Sequence, residues 1–178
     1  MAERAALTIV PEVPLGKLVL RGAPDVAATA GAALGWSLPD RLNRATAADA
    51  GRALRPGPDE YLLLVPPTTV EATQDSLARA LAGRHYALVD VSARLVAIEL
   101  AGVAVRDTLA AACPLDLHPG AFGPEQATRT LFGKAEIILD CLEQARLRLL
   151  TNRSFAPYVR RLLAEAGREF AAAQSAVP

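Results

Sequence analysis

HYALVDVSARLVAIELAG spans residues 85–102, and the way it divides decides the architecture. Its first part, through Ser92, is a short β-rich run. From Leu95 onward the pattern alternates, Leu95, Ala97 and Glu99 falling on one side and Val96, Ile98 and Leu100 on the other. That is the period of a strand. Between the runs, Asp90 and Ser92 bracket a corner, and both residue types bond their own backbone in turns. Contact with a ligand or partner is the other use open to the pair. Ala101-Gly102 then turns the chain again. One strand closes a first half of the chain, and the next opens a second.

Toward the N-terminus, Thr68 and Glu71 form the T-x-x-E capping box of a helix that runs to about Ala82 and closes at Gly83. RALRPGPDEYLLLVPP, residues 52–67, reads as a hairpin of Arg52–Arg55 and Glu60–Val65 around a Pro-Gly-Pro-Asp corner. SLPDRLNRATAAD, residues 37–49, is polar and irregular. PDVAATAGAALG, residues 24–35, is an alanine-rich helix with Asp25 near its start and Gly35 at its end. KLVLRG, residues 17–22, is a strand, preceded by a proline-broken arm through Val13-Pro14 that is strand-like or loose. The first half is β-α-β-β-α-β.

Toward the C-terminus, VAVRDTLAAA, residues 103–112, is a helix that Pro114 must end. ATRTLF, AEIILDCL and RLRLLT are three further strands. NRSFAPYVRRLLAEAGREF, residues 152–170, is a final helix with Ser154 as N-cap and Pro157 in its first turn. Phe155, Tyr158, Val159, Leu162, Leu163, Ala166 and Phe170 form its apolar stripe. This half is roughly β-α-β-β-β-α. The pattern argues α+β, with antiparallel sheets and helices packed on them, over a single domain 1–178 with pseudo-halves of about 17–92 and 93–171.

The 178 residues suffice for one sizeable domain, and with 52% hydrophobic residues but few aromatics the core must be aliphatic. Basic and acidic residues balance at 19 each, which removes the electrostatic argument for nucleic acid or an anionic membrane as partner. Only Lys17 and Lys134 are lysine, and the arginines are spread along the chain. Cys113 and Cys141 form no CxxC pair, which favours free thiols and a cytoplasmic protein. The first residues have no secretory layout, and no apolar run is long enough for a membrane span.

ACPLDLHPGAF, residues 112–122, holds a thiol, a carboxylate and an imidazole within six positions: Cys113, Asp116 and His118. Zinc sites take three or four ligands, and this cluster lacks the second Cys/His pair; the other histidine, His85, lies on a helix-to-strand loop. Pro114 and Pro119 bracket the segment, and proline, aspartate and glycine build turns. A structural or interface turn is the stronger reading. Asn152, Arg153 and Ser154 precede a helix and could hold an anion, though starting the helix is the commoner task. No phosphate-binding glycine loop and no GxSxG or HExxH motif occurs, so no residue is assigned to catalysis, cofactor or metal.

GPDEYLLL, ALVDVSARLVAIELAG, ACPLDLHPGAF, TRT and TNRSFAPYVRRLL resemble, in this order, the gamma subunit family of heterotetrameric sarcosine oxidase, over roughly Lys17 to Phe170. VDVS before a strand, a Gly-led helix and a late Asn-containing turn is in turn similar to the folate-binding fold of the glycine-cleavage T-protein. The resemblance implies two intertwined ferredoxin-like halves. It also implies a non-catalytic packing subunit with no cofactor of its own. Flavins, NAD and tetrahydrofolate would belong to the partner subunits, chiefly the large alpha subunit. Aminomethyltransferases carry a catalytic aspartate in a Gly-Gly-x-x-Asp-Asp turn. GKAEIILD is the nearest stretch here, with Glu136 about where the acidic pair should stand and the second glycine missing. Ala93-Arg94 likewise replaces the usual His-Met after VDVS.

Three functions compete. The preferred one is a structural subunit of a complex that demethylates sarcosine oxidatively and passes the one-carbon unit to tetrahydrofolate. A free-standing folate-binding or aminomethyltransferase-like protein would need Glu136 over a folate pocket. A small-molecule binding protein would need a closed apolar pocket with convergent polar groups. For the first, Cys113, Asp116, His118 and Phe122 of one turn and Arg153 and Phe155 of the other are the expected partner interface. An isolated chain could cover that surface by self-association.

Overall fold

The computed structural model describes residues 6–172, so both ends of the expected 1–178 domain, including the first five residues of the N-terminal arm, lie outside the described residues. The chain divides into two compact units. Pro14–Leu95 forms one; the arm up to Val13 joins the chain from Val96 onward to form the other.

In the Pro14–Leu95 unit, β2 (Gly16–Gly22) leads into helix α1 (Pro24–Leu34), which stops where Gly35 takes a left-handed conformation with φ 74°. β4 (Gly51–Gly57) and β5 (Glu60–Val65) form the expected hairpin, closing at Gly57 opposite Glu60. Helix α2 (Val70–Ala80) and β6 (Tyr86–Asp90) complete the unit. Its sheet runs β3-β4-β5-β2-β6, where β3 is Ala45–Ala48. Without β3, that is the 2-3-1-4 order of a ferredoxin-like βαββαβ unit. Leu18, Leu20, Tyr61 and Leu63 of the sheet pack on Val26, Ala30, Leu77 and Leu81 of the helices.

Two details depart from the sequence reading. β3 lies in the segment expected to be irregular. Three of its four residues are alanine, which has little strand preference, and pairing with β4 from Ala45↔Leu54 to Ala48↔Gly51 supplies the order. The Thr68–Glu71 capping box does not form. Pro66 and Pro67 start a 3-10 turn over Pro67–Thr69, Thr69 precedes α2 with φ −108° and ψ 1°, and its hydroxyl bonds Pro66 O at 3.0 Å. A capping side chain needs an extended backbone at the cap, which this winding denies.

The other unit has sheet order β1-β7-β10-β9-β8. The strands are β1 (Thr8–Val10), β7 (Leu95–Ala101), β8 (Ala127–Phe132), β9 (Ala135–Glu143) and β10 (Arg146–Asn152). With β1 as fourth strand, β1-β7-β10-β9 repeats the same order, and β8 adds an outer strand. The N-terminal arm thus completes the sheet of the later half, pairing Thr8↔Ala101 through Val10↔Glu99. This crossing is the sense in which the halves intertwine, in an α+β fold of two antiparallel sheets with packed helices.

Helix α3 (Val105–Ala110) is shorter than expected and ends with Cys113 N–H on Leu109 O, one residue before Pro114. The last helix is broken. A 3-10 turn over Arg153–Phe155 precedes α4 (Ala156–Ala166), and α5 (Arg168–Ala172) follows Gly167. Ser154 lies inside that turn and makes no cap bond. Gly167 is buried where an added Cβ would meet Leu7 of the arm at 2.5 Å, so the close approach of the arm explains the glycine. Val159 and Leu163 reach the core with Ile98, Leu109, Phe132, Leu139 and Leu149.

Candidate functional site

The turn between α3 and β8 is built by its own polar groups. Asp116 Oδ1 accepts the His118 N–H at 2.9 Å, and His118 Nδ1 accepts the Gly120 N–H at 3.1 Å. His118 O accepts from Ala121 and Phe122. Asp116 and His118 are exposed, whereas Cys113, Leu117 and Phe122 belong to the unit's own core. The Cys113 thiol lies 4.0 Å from Thr130 Oγ1. The imidazole and the thiol are therefore committed to different neighbours.

Arg106 of α3, which the sequence reading passed over, holds this turn in place. Nη1 donates to Leu117 O at 2.5 Å and to Phe122 O at 2.8 Å. Nε donates to Gln144 O and Nη2 to Gln144 Oε1, both at 3.0 Å. One planar fork ties a helix, the turn and the β9–β10 hairpin together, as only a guanidinium can. Nothing in the local sequence marks it, because its acceptors are carbonyls 11 to 38 positions away.

The second expected segment lies beside the first through the β8–β9 hairpin tip. Gly133 N–H donates to Ala112 O at 2.8 Å, and Lys134 N–H donates to Tyr158 OH at 3.1 Å. Gly133 has φ 58°, and a Cβ on it would stand 2.3 Å from Tyr158 OH. Phe155 and Tyr158 are 42% and 38% exposed, so they leave the apolar stripe expected to face the core. Phe155 sits in the 3-10 turn, whose tighter winding takes it out of phase with α4. Arg153 lies 3.5 Å from Glu12, which Arg160 also meets at 2.9 Å.

Glu136 stands on β9 with Arg129 3.5 Å away, on an exposed strand face rather than in a turn. Ser92 N–H donates to Asp90 Oδ1 at 2.8 Å, and Ser92 Oγ accepts the Lys17 N–H at 2.9 Å, so the VDVS corner is bonded to its own backbone and to that of β2. A groove of about 630 Å³ lies along α1 and Trp36–Asp40, with Arg55 and Tyr61 in its lining. None of the candidate site or interface residues named from the sequence lines it. Among the described residues no three His, Cys, Asp or Glu side chains converge as a metal site requires.

An ionic cluster of buried Glu99, Asp140 and Arg148 with exposed Arg146 lies on the face of the β7-β10-β9 strands turned away from the unit's core. Glu99 bonds Arg146 and Arg148, each at 2.7 Å, and Arg148 Nη1 lies 3.5 Å from Asp140, which is 0% exposed. Burial pushes the Glu99 carboxyl up, but the hydrogen bonds and charges of the two arginines outweigh it and hold the group below the ordinary carboxylate range. Arg146 is raised, first by its hydrogen bond to Glu99. The set ties β7, β10 and β9 together, and its groups are engaged with one another.

The fold defines the class first: an α+β chain of two antiparallel sheets with packed helices. Glycine cleavage system aminomethyltransferase T from Bartonella henselae superposes with a TM-score of 0.66 over 90% of this chain and 46% of its own, at 12% identity, a likeness of fold alone. The chain belongs to the sarcosine oxidase, gamma subunit family, whose model matches residues 21–169. Sarcosine oxidase subunit gamma of Arthrobacter sp. is 34% identical over 79% of this chain and 68% of its own length. A chain of the heterotetrameric sarcosine oxidase from Corynebacterium sp. U-96, in complex with pyrrole 2-carboxylate, has a TM-score of 0.88 at 30% identity, covering 96% of this chain and 88% of that one.

Proposed function

We propose that this chain is a structural subunit of a heterotetrameric sarcosine oxidase, contributing packing rather than chemistry. The carrying observation is the match to the Corynebacterium chain along nearly the whole length, in a molecule whose conspicuous polar groups are spent on holding its own turns and sheet. The complex would convert sarcosine to glycine by oxidative demethylation and hand the one-carbon unit to tetrahydrofolate. Flavins, NAD and the folate site would lie in the partner subunits, chiefly the large one, in the cytoplasm. Two free, buried thiols suit a reducing compartment, and no described helix is long and apolar enough to cross a membrane.

The test is co-expression with the other subunits of the oxidase. The expected result is a co-purifying complex in which Cys113→Ser and His118→Ala leave sarcosine oxidation within about twofold of wild type. Loss of several orders of magnitude in a folded, assembled variant would assign these side chains to chemistry. Tetrahydrofolate binding by the isolated chain in the low-micromolar range, abolished by Glu136→Ala, would favour the free-standing folate reading.

A further inference from the structure

We infer that the exposed aromatic pair Phe155 and Tyr158, flanked by Lys134 and Arg161, is the docking surface for an apolar, carboxylate-rimmed patch on a partner subunit of the oxidase. The inference rests on the subunit reading and places its interface. Phe155 and Tyr158 flank a well-packed core, yet they are 42% and 38% exposed and leave two aromatic side chains partly open to solvent side by side. Tyr158 is held rigidly. Its ring lies over Gly133, where no Cβ intrudes, and its hydroxyl is fixed by the Lys134 N–H. A side chain already fixed loses little conformational entropy on binding, which is what an anchor needs.

Charge identifies the partner's chemistry. Most described arginines of this unit are engaged: Arg129 with Glu136, Arg146 and Arg148 with Glu99, Arg153 and Arg160 with Glu12, Arg168 with Glu165, and Arg106 with carbonyls. Among the described residues of the unit, Lys134 and Arg161 are the two basic side chains with no hydrogen bond or ion pair. Lys134 follows the glycine beneath Tyr158, and Arg161 stands one helical turn beyond Tyr158 on the exposed side of α4. Two unspent cations bordering two exposed rings match an apolar patch bordered by Asp or Glu. Phe122, which the sequence reading placed in the interface, is buried in the unit's own core and cannot reach a partner without unfolding the turn.

The experiment uses the full chain and the other subunits of the oxidase, with association and dissociation followed at several salt concentrations. Lys134→Glu/Arg161→Glu should slow association about tenfold or more at low salt and flatten its salt dependence. Phe155→Ser should speed dissociation about tenfold. The melting temperature of the free chain serves as the fold control, and both cations are exposed enough to be replaced without loss of packing. Unchanged rates and salt dependence for both folded variants would overturn the surface. The same would follow if the variants abolished self-association and left assembly intact, since the occupant would then be a second copy. A wild-type chain that never co-purifies with the other subunits would instead sink the subunit reading itself.

Discussion

Glu99 is the residue on which most of one sheet's electrostatics turns. It bonds Arg146 and Arg148 from one strand position, and Arg148 is largely buried. Replacing it by glutamine leaves the buried Arg148 guanidinium with Asp140 alone at 3.5 Å, a loss of charge-assisted hydrogen bonds that costs about 1–3 kcal/mol. Glu99→Gln should therefore lower the urea midpoint at neutral pH substantially. The pH dependence has a fixed sign. Because the folded carboxyl titrates below its unfolded value of about 4.3, its contribution is complete above that pH and is lost as the pH falls through the lower folded value. Urea melts between pH 2 and 6 should show a shallower acid limb for the glutamine variant; an identical limb would show that Glu99 is not the group being titrated. Gly133 makes the second prediction at this scale. Its left-handed backbone and the Tyr158 hydroxyl 2.3 Å from a would-be Cβ leave no room for alanine, and Gly133→Ala should cost about 1–3 kcal/mol.

At the level of elements, the turn from Cys113 to Phe122 stands because α3 supplies Arg106. Arg106→Lys keeps the charge but offers a point donor where a fork serves two carbonyls of the turn and Gln144 at once. The variant should lose about 1–3 kcal/mol and show faster amide exchange in residues 117–122 with the β9–β10 ladder still protected. Protection unchanged throughout would mean that Pro114, Pro119 and the His118 bonds hold the turn alone. The sequence exposed half of this arrangement. Proline, aspartate and glycine announced a turn from local chemistry, and the Asp116 and His118 bonds span only two residues. Arg106 stayed hidden because a side chain's reach to distant carbonyls leaves no periodic trace. The same limit explains the elements that were misread. The Thr68 box was a valid local signal overruled by two preceding prolines, and β3 exists only because β4 pairs with it.

For the whole molecule, the arm is the element with the longest reach. β1 is three residues long, yet it fills the fourth position of a sheet whose other strands begin beyond residue 94, and Arg160 bonds Pro11 O and Glu12 to hold it there. Removing residues 1–13 should expose the edge of β7 and leave Gly167 without Leu7 against it. The expected outcome is a lower melting temperature and concentration-dependent association, since an uncovered strand edge recruits another chain. A truncated chain that stays monomeric with an unchanged melting temperature would show that the sheet is complete without β1.

The sequence by itself determined the number and kind of most elements, because strand alternation, glycine stops and proline breaks act over a few residues. It also carried the family, through the spacing of CPLDLHP and NRSFAPYV. Tertiary structure alone decided which half the arm completes, which polar groups are spent on one another, and which rings stay uncovered. Those outcomes depend on residues far apart in the chain reaching the same place: Glu99 with Arg148, Gly133 with Tyr158, Thr8 with Ala101. Phe122 and Phe155 stand in comparable turns and look alike in the sequence; the core closes over one and leaves the other at the surface.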